Sequence, residues 1–312
     1  MKLYFDPAAA MACDPIDSLE PIFYRRSMIK NVLIITLFVF LGCIVPALFL
    51  LPAQYLGVDL SKMAGADFEV TMGTVIAVLV FSLVSIGFVY VVQRYYHRRP
   101  FLDLGFKREW VWGLTWGHLV GFSLAGLTIG LGWTFDETLK AADLQFSSSV
   151  PASVSFPTLA GFYLFFLFML TINSFKEELL FRSYAIENIS GKTKSNWPVI
   201  LIASAIFSAV HLVLEPPTWS AFISRFFFGV FTCQVYVVTR SIWPIVGIHN
   251  GSNWLGLTIG ENWKMGEILT VTADNEPLTS EPIYGIISRG SAVLVMSVWM
   301  YRWSKGRGES EE

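Results

Sequence analysis

Eight apolar stretches run along the chain, each bounded by short polar or basic segments: residues 31–53, 69–93, 111–134, 157–182, 197–214, 218–238, 242–260 and 283–303. About 20 helical residues cross the hydrocarbon core of a bilayer. The pattern therefore predicts an all-α, polytopic membrane helix bundle of about eight transmembrane helices, with the fifth and seventh the shortest. The first stretch follows Tyr24, Arg25, Arg26 and Lys30 without a small-residue cleavage site after it, so it reads as a retained span and not as a removed signal peptide.

Basic residues order the spans, because Lys and Arg near span ends are retained on the cytoplasmic side. Arg25, Arg26 and Lys30 precede the first span, while "QRYYHRRP", Lys107 and Arg108 follow the second. Arg182, Lys192 and Lys194 follow the fourth, Arg240 the sixth, and Arg302, Lys305 and Arg307 the eighth. The alternate loops, such as "FDETLKAADLQ", are poorer in Lys and Arg and often acidic. Both termini are accordingly expected in the cytoplasm. The expected division is a cytoplasmic segment 1–30, an integral membrane domain 31–304 with a motif core at 157–260, and a cytoplasmic tail 305–312. No internal repeat of the kind that marks many transporters is evident.

Composition agrees with this solvent assignment. The 312 residues are 54% hydrophobic and 15% charged, with mean hydropathy +0.55, far from an ordinary soluble domain. Net charge is -2 and there is no long basic run, so no nucleic-acid partner is indicated. Cys13, Cys43 and Cys233 are too few and scattered for a disulfide framework and read as packing residues.

Polar groups inside the spans change the picture, since charge in lipid is costly and tends to pair, face a cavity or work. "FKEELLFR" closes the oily run "GFYLFFLFMLTINS". Residues four apart share a helix face, so Glu178 can pair with Arg182, while Glu177 points about 100° away and stays unassigned. A simpler reading ends span four here and leaves both acids in headgroup water. In "FSAVH", Phe207 and His211 share a face of span five. In "HNGSN", His249 and Asn253 share one of span seven, whereas Asn250 and Ser252 lie elsewhere and suit local or interhelical hydrogen bonds. Gly247, Gly251 and Gly256 let helices approach closely. His118, Arg225 and Arg289 are further polar groups in spans, to which the sequence assigns no role.

One carboxylate, two histidines and an amide on three helices are the parts needed to activate water against a carbonyl: a general base, a partner for the water and donors for the oxyanion. Serine or cysteine hydrolysis is less favoured, because Gly-x-Ser-x-Gly is absent and no Cys neighbours either histidine in sequence.

"EELLFR", "FSAVH" and "HNGSN" together resemble the Glu-Glu-x-x-x-Arg, Phe-x-x-x-His and His-x-x-x-Asn motifs of the CPBP family. Its members are intramembrane proteases related to type II CaaX prenyl endopeptidases and to the bacteriocin-immunity (Abi) proteins. The motifs occur in the family's order over residues 177–253, and the first three spans carry none. The resemblance implies that Glu177 and His211 activate the water, that His249 and Asn253 stabilise the oxyanion, and that Glu178 and Arg182 are mainly structural. It also implies a substrate held in the lipid bilayer, as a lipidated tail or a transmembrane peptide. In a bacterium the chain would sit in the inner membrane with its site facing the cytoplasm.

Glu177, His211 and His249 could also supply the three protein ligands of a zinc site. His-Glu-x-x-His is absent, however, and Asn253 suits an oxyanion better than zinc, so no obligatory metal cofactor is expected while zinc stays possible. A non-catalytic scaffold or immunity protein, and a proton-coupled transporter, remain as alternatives. Depth poses one difficulty. At 1.5 Å per residue, Glu177 falls near the cytoplasmic edge, His249 about 10 Å in and His211 about 20 Å in. Convergence then requires tilted helices, a cytoplasmic extension of helix five or a deep water-filled cavity.

Overall fold

In lipid each apolar stretch must satisfy its own backbone hydrogen bonds, and a helix does so within one segment. The structure, a computed structural model, describes residues 21–50, 72–136, 143–146, 155–189, 196–214, 218–258, 269–273, 276–277 and 282–308. Cys13, Lys192, Lys194 and the loop stretches between these ranges lie outside the described residues.

Each expected span is a helix: α1 (Pro21–Leu50), α2 (Met72–Val91), α3 (Trp110–Phe135), α4 (Phe156–Glu178), α5 (Trp197–Leu214), α6 (Trp219–Thr239), α7 (Ile242–Thr258) and α8 (Pro282–Gly308). Five of them, α1, α2, α3, α6 and α8, are long and apolar enough by length and composition to cross a membrane, and α5 is a shorter apolar helix. The protein is an all-α membrane helix bundle.

Side chains show how the helices live in lipid. Leu33, Leu37, Phe40, Ile44 and Leu48 form an exposed apolar stripe on α1, and Leu294, Val295 and Val298 do the same on α8. Hydroxyls within the spans bond back to the carbonyl one turn earlier, as Thr115 does to Val111, Thr171 to Leu167 and Ser297 to Val293. Ser155 caps α4, its Oγ accepting from Thr158 N at 3.4 Å, and Thr218 caps α6, accepting from Ala221 N at 3.2 Å.

α3 and α7 pack closest. Gly113, Gly117 and Gly121 on α3 face α7, which presents Gly247 and Gly251. A methyl group at Gly117 or Gly121 would collide with the carbonyl oxygens of Pro244 or Ile248, and at Gly251 it would stand 2.6 Å from that of His118. The missing Cβ atoms bring the two backbones into contact.

Two helix boundaries differ from the expected ones. α1 begins at Pro21, well before residue 31. More consequentially, α4 continues beyond Arg182, through a wide π-helical turn over Leu179–Tyr184 and a further α-helical turn over Ala185–Ile189. Every residue of this extension except Glu187 is buried. Its polar groups find partners on other elements: Ser183 Oγ donates to Leu104 O at 2.5 Å, and Asn188 Nδ2 donates to Gln93 Oε1 at 3.0 Å. α5 packs against this extension and against α6.

The extension resolves the difficulty of depth. Glu177 stands twelve residues before Ile189, about 18 Å along the helix, and His211 fourteen residues after Trp197, about 21 Å. It is helix four, and not helix five, that is lengthened. A small antiparallel sheet was also not expected: β1 (Asp143–Phe146) pairs with β2 (Leu269–Ala273), and β2 with β3 (Glu276–Pro277). It ties the α3–α4 connection to the α7–α8 connection, which places both at one end of the bundle, as the alternation of spans requires.

Candidate active site

The last turn of α4 arranges its polar groups around one carboxylate oxygen. Asn173, one turn before Glu177, donates from Nδ2 to Glu177 Oε1 at 2.9 Å. Lys176 donates from Nζ to Asn173 Oδ1 at 2.8 Å and lies 3.5 Å from the same Glu177 oxygen. The lysine is buried, its ammonium 4.8 Å from the centre of the Phe81 ring. Glu177 Oε1 is thus held, while Oε2 points to α7.

Glu178 is wholly buried, so it does not merely end a span in headgroup water, while Glu177 is partly exposed. Arg182 lies 3.2 Å from Glu178, one turn along, as its expected ion-pair partner. The contact is an ion pair and not an aligned hydrogen bond. Arg182 Nε donates to Thr232 Oγ1 at 3.1 Å, and the guanidinium lies over the Phe207 ring at 3.8 Å. These contacts fix a cation in the core, where an unmatched charge would be costly.

His249 joins the two acids. Its Nδ1 donates to Glu178 Oε1 at 2.6 Å, and its Nε2 stands 3.7 Å from Glu177 Oε2. Glu178 is therefore more than a partner for Arg182: the same oxygen orients the imidazole, which the spacing of "EELLFR" did not reveal. Phe228 and Phe207 wall the ring at centroid distances of 5.3 and 6.3 Å.

His211 enters from α5 beside Phe207, ring to ring at 4.5 Å. A carbonyl only accepts, so the 2.8 Å contact of His211 Nδ1 with Phe207 O places a proton on Nδ1 and makes Nε2 the acceptor nitrogen of the neutral ring. His211, His249, Lys176 and Arg182 all act electrostatically on Glu177. Asn253 stands one turn beyond His249 on α7, partly buried. Its neighbours follow expectation: Asn250 Nδ2 bonds to His118 Nε2 at 2.9 Å and Thr171 Oγ1 at 2.6 Å, and Ser252 Oγ donates to Gly121 O at 3.2 Å.

The structure thus brings Glu177, Glu178, Arg182 and His249 into direct contact and sets His211 beside them across Phe207. Lys176 and Asn173 were missed in the sequence, although both stand within one turn of Glu177 and are polar in an apolar run. Arg289 donates from a guanidinium nitrogen to Ser224 Oγ at 2.7 Å and stands 5.4 Å from the centre of the Phe228 ring that walls His249.

The fit to zinc is poor as the side chains stand. Among the described residues no three His, Cys, Asp or Glu side chains cluster at metal-binding spacing. No step below is routed through a metal.

Residues 159–255 match the family described as Type II CAAX prenyl endopeptidase Rce1-like. The match is consistent with the CPBP family and includes all six motif residues, Glu177, Glu178, Arg182, His211, His249 and Asn253. No curated protein and no solved structure matches the chain. This integral membrane protein therefore carries, in its second half, a segment similar to CAAX-type intramembrane proteases.

Proposed function

We propose that this chain is an intramembrane endopeptidase of the CaaX prenyl protease type, hydrolysing a peptide bond in a membrane-held or lipidated substrate with water activated by Glu177 and His211. The observation that carries the reading is the placing of His249, with a carboxylate opposite each ring nitrogen, inside the segment that matches the protease family.

Each residue then has a part. Asn173 and Lys176 hold Glu177 Oε1, leaving Oε2 to take a proton from a water that also bonds to His211 Nε2. The water oxygen adds to the carbonyl carbon. His249, oriented by Glu178 and donating from Nε2 as the imidazolium, and Asn253 donate to the oxyanion as it forms. Collapse breaks the C–N bond, and the proton on Glu177 passes to the leaving amine. A placed general base contributes about 10²–10⁴ in rate and an oxyanion donor about 10²–10³. Arg182 matches the charge of Glu178, the carboxylate that aims His249.

The basic flanks support a cytoplasmic opening for the site, both termini on that side, and residues 157–260 as the catalytic portion of the membrane domain. The test is a comparison of protein termini in membranes from cells expressing the wild type or Glu177→Ala at equal folded abundance. Termini produced only by the wild type support proteolysis and point to a substrate. Identical profiles would remove the catalytic reading.

A further inference from the structure

A cavity of about 330 Å³ opens at the bundle end where the α2–α3 connection meets the α6–α7 turn. It lies two turns of α7 away from His249, counting from Ile242. Its volume is at the lower end of the range for small-ligand sites.

The walls are built and held. Gly105 O accepts from Ile242 N at 3.0 Å, and Lys107 O accepts from Trp243 Nε1 at 3.0 Å. Gly105 has φ +82, and a Cβ there would stand 2.8 Å from Tyr236 Oη, so only glycine lets the connection seat this closely. Arg240 lines the cavity from the end of α6 with φ 48, a left-handed conformation that glycine or asparagine adopts at less cost.

The cavity wall itself carries two cations, Lys107 and Arg240, and two carboxylates, Asp103 and Glu187, and the neighbouring chain adds further cations. Residues 98–109, with Glu187 and Arg240, carry five cations, Arg98, Arg99, Lys107, Arg108 and Arg240, against three carboxylates, Asp103, Glu109 and Glu187. Both carboxylates on the cavity wall are already matched. Glu187 Oε1 accepts from Arg240 at 3.2 Å and from Tyr236 Oη at 3.1 Å, and Asp103 lies 3.7 Å from Arg99 Nε. Arg240 Nε is a buried donor with no partner among the described residues. Lys107 is exposed at the rim. On either side of the α2–α3 connection in sequence, Tyr95, Tyr96, Trp110 and Trp112 are exposed, the aromatic composition of a membrane–water interface.

We propose that this cavity binds a phosphate ester group through Arg240 and Lys107, supplied by the headgroup of an anionic phospholipid or by a small soluble phosphate. A lipid phosphate is at the right depth, and basic pockets between helices at this level suit anionic headgroups. The site is independent of the hydrolytic reading.

The test uses the full chain in phosphatidylcholine nanodiscs. One arm adds phosphatidylglycerol and reads retained lipid by native mass spectrometry; the other titrates inorganic phosphate and reads the thermal midpoint. In one arm the wild type should bind about tenfold more tightly than Lys107→Gln or Arg240→Gln, the loss expected for one charge-assisted hydrogen bond. Binding in the lipid arm assigns a headgroup site, and binding in the phosphate arm a soluble ligand. Arg240→Gln also disturbs Glu187, so Lys107→Gln, at an exposed side chain, is the deciding variant. Equal affinity of wild type and Lys107→Gln in both arms overturns the proposal. So does an equal loss in Arg302→Gln, which removes an exposed cation outside the cavity.

Discussion

His249 and Glu178 meet at 2.6 Å, imidazole Nδ1 to a carboxylate with no solvent exposure. The acid one residue earlier, Glu177, reaches the opposite nitrogen of the same ring at 3.7 Å. Two adjacent glutamates thus approach one imidazole from different sides, and their environments separate their roles.

Substitution should reveal that separation. Glu178→Ala leaves the buried Arg182 unmatched and should cost about 3–5 kcal/mol of stability. Glu177→Ala leaves Lys176 with Asn173 as its remaining acceptor and should cost clearly less stability than Glu178→Ala, while lowering hydrolysis by about 10²–10⁴. Unfolding curves in detergent alongside cleavage rates would check both. Equal destabilisation by the two changes would remove the division of labour.

Lys176 should act on catalysis through Glu177. With the ammonium gone, Lys176→Met leaves Glu177 Oε1 held by Asn173 alone, and kcat should fall about tenfold with KM little altered, the loss of one charge-assisted contact. Lys176→Arg should restore most of the rate. A rise in KM alone, or no rescue by arginine, would assign the residue to packing.

The glycine seam between α3 and α7 predicts a different kind of damage. Gly117→Val places side-chain atoms against the Pro244 carbonyl and should destabilise the protein by about 1–3 kcal/mol. Because α7 also carries His249 and Asn253, hydrolysis should fall even where the protein remains folded. An enlarging change at Gly161, around which a Cβ would meet nothing within 4 Å, is the matched control.

Metal dependence can be read directly on purified protein. Because no three His, Cys, Asp or Glu side chains cluster at metal-binding spacing among the described residues, chelator treatment is expected to leave hydrolysis unchanged. Stoichiometric zinc by elemental analysis, lost together with activity in His211→Ala, would be the opposite result and would require the imidazoles to rearrange around the ion.

The helices were legible in sequence because hydrocarbon thickness imposes a length on each apolar run. The Glu178–Arg182 pair and the edge-on Phe207–His211 contact were legible because i and i+4 share a face. The extension beyond Arg182 was not. "SYAIENI" reads as a polar exit from the membrane, and what buries it comes from far along the chain, from Gln93 and Leu104. Lys176 was missed because a lysine beside glutamates at a span end reads as a wetted charge, while its burial depends on Phe81 of α2. The strand at Leu269–Ala273 has a local signal, the alternation in "LTVTA", which the surrounding helical pattern outweighed.

The seam where α3 and α7 touch backbone to backbone also has a mechanical meaning. Carbonyl contacts without intervening side chains leave little slack, so this pair forms the stiff spine of the bundle. α5 is coupled to α4 mainly through the buried extension and is otherwise seated on α6. Any breathing that admits a bulky chain to His249 is therefore borne by the α4–α5 flank, where Glu177 and His211 ride on separate supports.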